Sequence, residues 1–234
     1  MLDQRARRTT PGRRSLTGAG VAALASVLAL VFTAVAGADD YTRKIVAGDQ
    51  TAVNQAILKK ADFGKLTVTG GTEKIPRSTE PLCSYFDPKE KDLVITGEVM
   101  NVWRNPLFEM RSNVSMFKGA GMVALDWKRS YRPATFLRCM GERMQKSLGK
   151  DGKVISAKRI AYPTIGDRTF AMRIVMDVKS GGVKARMMMD AIWVAQGRSE
   201  VVLLTTSRYD MRQAIQPVEE RFLRLMTSRL TLSA

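Results

Sequence analysis

The second half of the chain is built from four β-favouring stretches separated by glycine-containing turns. The stretches read VISAKRIAYP, RTFAMRIVMDV, VKARMMMDAIWVAQ and SEVVLLTTS, with Gly166-Asp167, Gly181-Gly182 and Gly197-Arg198 between them. Stretches of this length with such short connections predict consecutive antiparallel strands. Alternation in the second stretch places Phe170, Met172, Ile174 and Met176 on one face, with Arg173 and Asp177 on the other. These four strands require a fold organised around an antiparallel sheet.

The first half adds a hairpin and several helices. DLVITGEVMNVWRN and LFEMRSNVSMFK favour strands, and Asn105-Pro106 between them marks a turn. Helical periodicity runs through AVNQAILKKADF, for which Asp49 or Thr51 is a candidate N-cap, and through AGMVALDWKRSY. Pro133 opens a further helix, and the final helix begins near Asp210. A short strand at 66–69 is also expected.

The order of these elements is helix, hairpin, two helices, four-stranded meander and helix. Short turns favour antiparallel pairing, and the amphipathic helices need an apolar surface to cover. The sequence therefore predicts an α+β fold with a single, mostly antiparallel sheet of about six strands covered by helices.

The N-terminus predicts export. Five arginines precede an uncharged apolar run, which ends in Ala36-Gly37-Ala38. This pattern is typical of a cleaved signal peptide, with 1–38 removed and 39–234 remaining as a single exported domain. An uncleaved N-terminal membrane anchor is the alternative. Arg13-Arg14 also resembles a twin-arginine signal, so the export route stays open.

The charge of the chain indicates which partners it attracts. Without 1–38, it would hold 33 basic and 21 acidic residues, a formal charge of +12. Outside the cytoplasm, such a charge attracts an anionic envelope component, with peripheral membrane contact possible. Another protein is the alternative partner, and no nucleic acid is expected. The oligomeric state is not predicted, and the arginines and lysines of the helices are the binding candidates.

The cysteine count predicts one structural bond. Cys83 and Cys139 are the only cysteines, and an even count in an oxidising compartment favours a disulfide. A redox-active pair would need the close C-x-x-C spacing, which the chain lacks.

The chain contains no histidine, which excludes Ser-His-Asp and Cys-His catalysis and removes the commonest zinc ligand. We therefore expect no catalytic residue, no metal site and no cofactor. The methionine-rich strands offer one other candidate site, because methionine adapts to apolar ligands. An apolar cavity could be lined by Met172, Met176, Met187, Met189 and Trp193, or these residues could fill an ordinary core.

Several stretches resemble uncharacterised exported domains of actinobacteria. The matching residues are AILKKADF, LCSYFDPKEKDLVITGEV, MVALDW and FLRCM. That group is similar in architecture to the PsbP-like α/β/α sandwich and to mycobacterial extracytoplasmic lipoprotein and kinase-sensor domains. The resemblance implies the Cys83–Cys139 bridge, and it implies no catalytic residue.

These observations predict a non-enzymatic, exported binding or sensor-type protein of the cell envelope. A carrier of a small apolar ligand such as a lipid is the second hypothesis. A hydrolase that works without histidine is the third.

Overall fold

The computed structural model describes residues 41–75, 83–131, 133–180 and 182–231. The predicted signal peptide lies outside the described residues. The helices are α1 (Ala47–Ala56), α2 (Ala120–Ser130), α3 (Pro133–Leu148) and α4 (Arg212–Thr231). The strands are β1 (Thr42–Arg43), β2 (Thr69–Thr72), β3 (Val94–Arg104), β4 (Phe108–Phe117), β5 (Gly152–Arg159), β6 (Arg168–Ser180), β7 (Val183–Gln196) and β8 (Ser199–Arg208).

All eight strands belong to one open sheet. Its order is β1-β3-β4-β8-β7-β6-β5, and β2 also pairs with β3. Every pairing is antiparallel except that of β1 with β3. The predicted hairpin and the four-stranded meander are therefore confirmed, and β4 and β8 join them in the middle of the sheet.

The prediction of about six strands was wrong, because the sheet has eight. The two short strands β1 and β2 both pair with β3, at opposite ends of the same edge. Neither is long enough to produce an apolar alternation that sequence reasoning could detect. The strand expected at 66–69 instead covers Thr69–Thr72.

Helices cover both faces of the sheet, as predicted. On one face, α1 and α4 pack through residues such as Val53, Phe222 and Met226 against Met110, Val201 and other strand residues. On the opposite face, α3 packs through Met140 and Met144 against the meander, and α2 contributes Val123 to an adjoining cluster. The result is a three-layer arrangement with apolar packing on both sides of the sheet.

Strand alternation decides the direction of the consecutive methionines in β7. Met187 and Met189 lie on the α3 face, whereas Met188 packs on the α1–α4 face. The three methionines are therefore divided between the two apolar layers. This division also explains why β7 reads as almost continuously apolar, since both of its faces are buried.

The predicted disulfide is present between Cys83 and Cys139, with a Cα–Cα distance of 5.9 Å. Cys83 lies in a short bridge with Phe86, and Cys139 lies within α3. Phe86 packs edge-on against Phe136 of the same helix. The bond therefore fixes α3 to the segment that leads into β3.

Helix α1 begins earlier than predicted. Its N-cap is Val46, and no side chain caps it, so neither Asp49 nor Thr51 has that role. The carboxylate of Asp49 instead accepts two hydrogen bonds, of 2.6 and 2.7 Å, from Arg198 in the turn between β7 and β8. A long-range ion pair thus replaces the local cap.

Candidate anion-binding surface

A strongly charged groove lies at the end of the sheet. It has a volume of about 540 Å³ and crosses the ends of β5, β6 and β7, beside the turn that joins α3 to β5. The basic residues along it are Lys150, Lys153, Lys179, Lys184 and Arg186, and the acidic residues are Asp151 and Asp177. We call this surface the basic groove.

Strand register brings these residues together. Lys153 in β5 lies opposite Asp177 in β6, which in turn lies opposite Arg186 in β7. Two positions nearer the turn, and so on the same face, Lys179 and Lys184 are direct cross-strand neighbours. Like charges in this position repel each other. The hairpin therefore keeps two lysines in an arrangement that costs stability.

One acid in the groove is already neutralised. Arg186 donates to both carboxylate oxygens of Asp177, at 2.7 and 3.0 Å. This bond holds the pKa of Asp177 below its usual value, and Lys153 and Lys184 lower that pKa further. Asp177 is therefore negatively charged at any pH near neutrality and paired with Arg186.

The lysines of the groove remain available. All four are exposed, and within the described part of the chain none of them makes an ion pair. An ammonium group that is not held in an ion pair can bind an anion without first breaking one. The groove can thus offer four ammonium groups to one negatively charged ligand.

The arginines and lysines of the helices were the binding candidates from the sequence, but several of the arginines contact other residues of the protein. Several of their arginines are paired: Arg129 with Asp92, Arg224 with Glu220, and Arg229 with Asp62. Arg138 lies over the ring of Tyr85, 3.7 Å from its centroid. These contacts hold the guanidinium groups to the protein itself.

The groove lysines were missed because they lie in two turns, GKDGK and the β6–β7 connection, that meet only in the folded sheet.

The five residues proposed to line an apolar cavity do come together. Met172, Met176, Met187, Met189 and Trp193 are all buried in the cluster beneath α3. Trp193 packs against Phe136 and Phe170, with ring centroids 5.5 and 5.6 Å away. Both a ligand-binding cavity and an ordinary filled core require these five residues to be buried together. A cavity for an apolar ligand among them stays a prediction.

A buried carboxyl that the sequence analysis did not anticipate lies under α4. Glu219 is fully buried, and both of its carboxyl oxygens lack a hydrogen-bond partner among the described residues. Burial and, to a smaller extent, the nearby charge of Asp190 raise the pKa of Glu219 to about 8. Asp190 itself accepts two hydrogen bonds of 2.6 Å from Arg173. Glu219 is consequently protonated, and neutral, at pH 7.

A second group of carboxyls is buried on the opposite face. Glu90, Asp126 and Glu200 come from the segment before β3, from α2 and from β8. Burial raises the pKa of Glu200 well above its usual range, and Asp126 raises it further. Ser130 Oγ lies 2.9 Å from Asp126 Oδ1 and 3.3 Å from Glu90 Oε1. Within the described ranges, no three potential metal ligands are placed to hold an ion.

A smaller pocket of about 310 Å³ lies at the start of α1 and includes Asp49 and Arg198. These two residues neutralise each other through their ion pair. The pocket therefore offers no net charge from its charged residues, in contrast to the basic groove.

Comparison with solved structures finds low-identity neighbours. The extracellular domain of PknH from Mycobacterium tuberculosis is 10% identical, with a TM-score of 0.45, over 80% of this chain and 98% of that one. PA94, a protein of unknown function from Pseudomonas aeruginosa, is 11% identical, with a TM-score of 0.28, over 68% of this chain and 95% of that one. No family model matches the chain, and no curated protein matches its sequence.

The first of these neighbours is an extracellular domain from a mycobacterium. The resemblance of this chain to mycobacterial extracytoplasmic domains and the likeness to PsbP both stay predictions. None of the helices in the described part of the chain is long and apolar enough to cross a membrane.

Proposed function

We propose that this protein is an exported, non-enzymatic binding or sensor-type domain that holds an anionic component of the cell envelope in its basic groove. The observation that carries the proposal is the set of four exposed lysines without ion partners at one end of the sheet. Two of them, Lys179 and Lys184, face each other across the hairpin. An anion bound between these lysines would remove their repulsion and so gain affinity.

The rest of the molecule supports this proposal. The disulfide suits an oxidising compartment outside the cytoplasm, and the formal charge of +12 that the chain has without 1–38 favours negatively charged partners. Every described lysine is exposed, so a desolvated lysine of the kind that a hydrolase without histidine would use has no counterpart in the described ranges. Binding is accordingly the activity that these side chains serve best.

Inorganic polyphosphate is a suitable probe, because it carries anionic charge without any apolar part. We expect the exported protein to bind it with an affinity that falls as salt rises, since exposed charges are screened over about 8 Å at physiological ionic strength. A variant with Lys150, Lys153, Lys179 and Lys184 all changed to Gln should lose at least about tenfold in affinity. This assumes that each lysine contributes on the order of 1 kcal/mol or less.

The matched control changes Lys44, Lys60, Lys65 and Lys118 to Gln. These lysines are also exposed, lie away from the groove, and give the same change in net charge. The control should retain most of the affinity. Equal losses in the two variants, or no binding by the unmodified protein at low salt, would contradict the proposal.

A further inference from the structure

The positive charge of the basic groove continues along one face of the sheet. Met188 of β7 packs on the α1–α4 face, and Arg186 and Lys184 lie two and four positions before it, so strand alternation puts them on the same face. Lys179 of β6 lies directly opposite Lys184. Asp177 lies opposite Arg186 in the same way. These charged residues of the hairpin therefore share the α1–α4 face.

A further lysine lies on this face, outside the groove. Asp190 of β7 reaches the face by the same alternation, Arg173 of β6 lies opposite Asp190, and Lys158 of β5 lies opposite Arg173. Measured along β6, Lys158 lies level with position 173 and Lys153 level with position 177. At about 3.3 Å per residue, Lys158 is about 13 Å from the level of Lys153 and about 20 Å from that of Lys179.

No helix covers this part of the face among the described residues. Helix α4 packs against β7 and β8. None of the described β5 residues belongs to the buried cluster beneath α1 and α4, and β6 contributes only Ala171 to it. Lys158 is exposed, as the groove lysines are. A ligand can therefore reach the face directly along β5 and β6.

The arginines of this face are used to neutralise its acids, whereas its lysines are not. Arg186 pairs with Asp177, and Arg173 pairs with Asp190. Within the described ranges, Lys158 makes no ion pair, like the four groove lysines. The positive charge that remains is therefore carried by lysines at two separate places, the groove and Lys158.

We infer that the ligand of the basic groove is a linear polyanion, a chain with repeated negative charges, one part of which lies between Lys179 and Lys184 and another at Lys158. This inference rests on the proposed function and specifies the class of its ligand. A compact anion cannot contact lysines that are about 20 Å apart. A chain can follow β6 from one place to the other, and its second contact adds affinity because the chain is already bound by the first.

Protection of the sheet edge is another role for lysines on β5, since charged side chains there discourage pairing with other chains. That role predicts no difference between short and long anions. The length of the bound anion therefore separates the two roles.

The test compares tripolyphosphate with long-chain polyphosphate by calorimetric titration of the exported protein at about 0.1 M salt. Charges interact over about 10 Å under these conditions, so Lys158 contributes little to an anion held in the groove about 13 Å away. Lys158→Gln should weaken the binding of long-chain polyphosphate about threefold, as expected for one exposed lysine. It should leave the binding of tripolyphosphate unchanged, whereas Lys153→Gln, within the groove, should weaken the binding of both.

Arg159→Gln is the matched control, because Arg159 follows Lys158 in β5 but lies on the opposite face, with its guanidinium carbon 5.6 Å from the ring centroid of Phe170. It removes the same charge and should bind both probes as the unmodified protein does. Normal binding of long-chain polyphosphate by Lys158→Gln, an equal loss in Arg159→Gln, or equal losses for the two probes in Lys158→Gln would each overturn the inference alone. Binding of neither probe by the unmodified protein, at this or at lower salt, would overturn the proposed function as well.

Discussion

Glu219 is fully buried, although a residue with an ionisable carboxyl group usually lies at the surface. The sequence analysis did not expect a carboxyl in the core, yet the residues of α4 that are buried include Ile215, Glu219, Phe222 and Met226. These positions recur at helical spacing, so the phase of the helix places Glu219 on the apolar face. Glu220, one position further, lies outside and pairs with Arg224 at 2.8 Å.

Burial of Glu219 makes stability depend on pH. The pKa of Glu219 is raised from 4.5 to about 8 in the folded protein. Between these values, the folded protein holds a proton that the unfolded chain has released. The free energy of unfolding therefore falls as pH rises through this window, by up to about 1.4 kcal/mol per unit from this group. Below pH 4.5 both states are protonated, and the effect disappears.

We expect Glu219→Gln to flatten this dependence. The amide has the same shape and does not ionise, so the variant should lack this loss of stability, which reaches about 4 kcal/mol at pH 8 for a pKa raised from 4.5 to about 8. Asp190, Arg173 and Tyr162, the other ionisable groups around Glu219, remain in place. Urea unfolding at several pH values between 5 and 8 measures how steeply the free energy of unfolding changes with pH.

Glu220→Gln is the matched control, because it removes a carboxyl from the exposed face of the same helix. Its slope between pH 5 and 8 should equal that of the unmodified protein. A Glu219→Gln variant with an undiminished slope would show that Glu219 is ionised in the folded state.

At the scale of elements, the disulfide joins α3 to the segment before β3, beside the contact of Phe86 with Phe136. Cys83 and Cys139 are separated by 56 positions in sequence. A bond across a loop of this length restricts the unfolded chain and stabilises the folded state by about 4 kcal/mol in the chain-entropy model. Cys139 is also fully buried beside Met140 and Phe136. The bond thus reinforces the packing of α3.

We expect the double substitution Cys83→Ser and Cys139→Ser to lower the free energy of unfolding by about 4 kcal/mol. Urea unfolding of the variant measures the loss. The unmodified protein in excess dithiothreitol should show a comparable loss, which separates the bond from the side-chain change. Equal stability of the oxidised and reduced protein would contradict a structural role for the bond.

Long, strongly patterned elements could be predicted from the sequence, and short ones could not. The hairpin of β3 and β4 carries its own turn signal at Asn105-Pro106, and the Cys83–Cys139 bond follows from the cysteine count in an exported chain. Strand β1 has two residues and pairs in parallel with β3. Its conformation depends on a distant partner, so no local pattern reveals it. The same reason explains why the local sequence indicates Asp49 as a candidate cap, whereas its partner in the fold is Arg198.

At the scale of the whole molecule, the charge is distributed so that one end of the sheet carries unpaired cations. The positive charge of the chain was evident from composition, but its location was not. Lys150 precedes β5 and Lys153 lies at its start, while Lys179 and Lys184 lie beside the β6–β7 turn. Only the register of three strands brings them to one groove. Arginines that looked equally suitable in sequence are paired within the protein.

The most direct test of this account is to locate the bound anion on the protein. Amide chemical shifts of the exported protein should be recorded by NMR during a titration with inorganic polyphosphate at low salt. We expect the largest changes at residues 150–153 and 177–186, with little change around the ion pair of Asp49 and Arg198. Changes centred on that pair, or spread evenly over the arginine-bearing helices, would contradict the basic groove as the binding site.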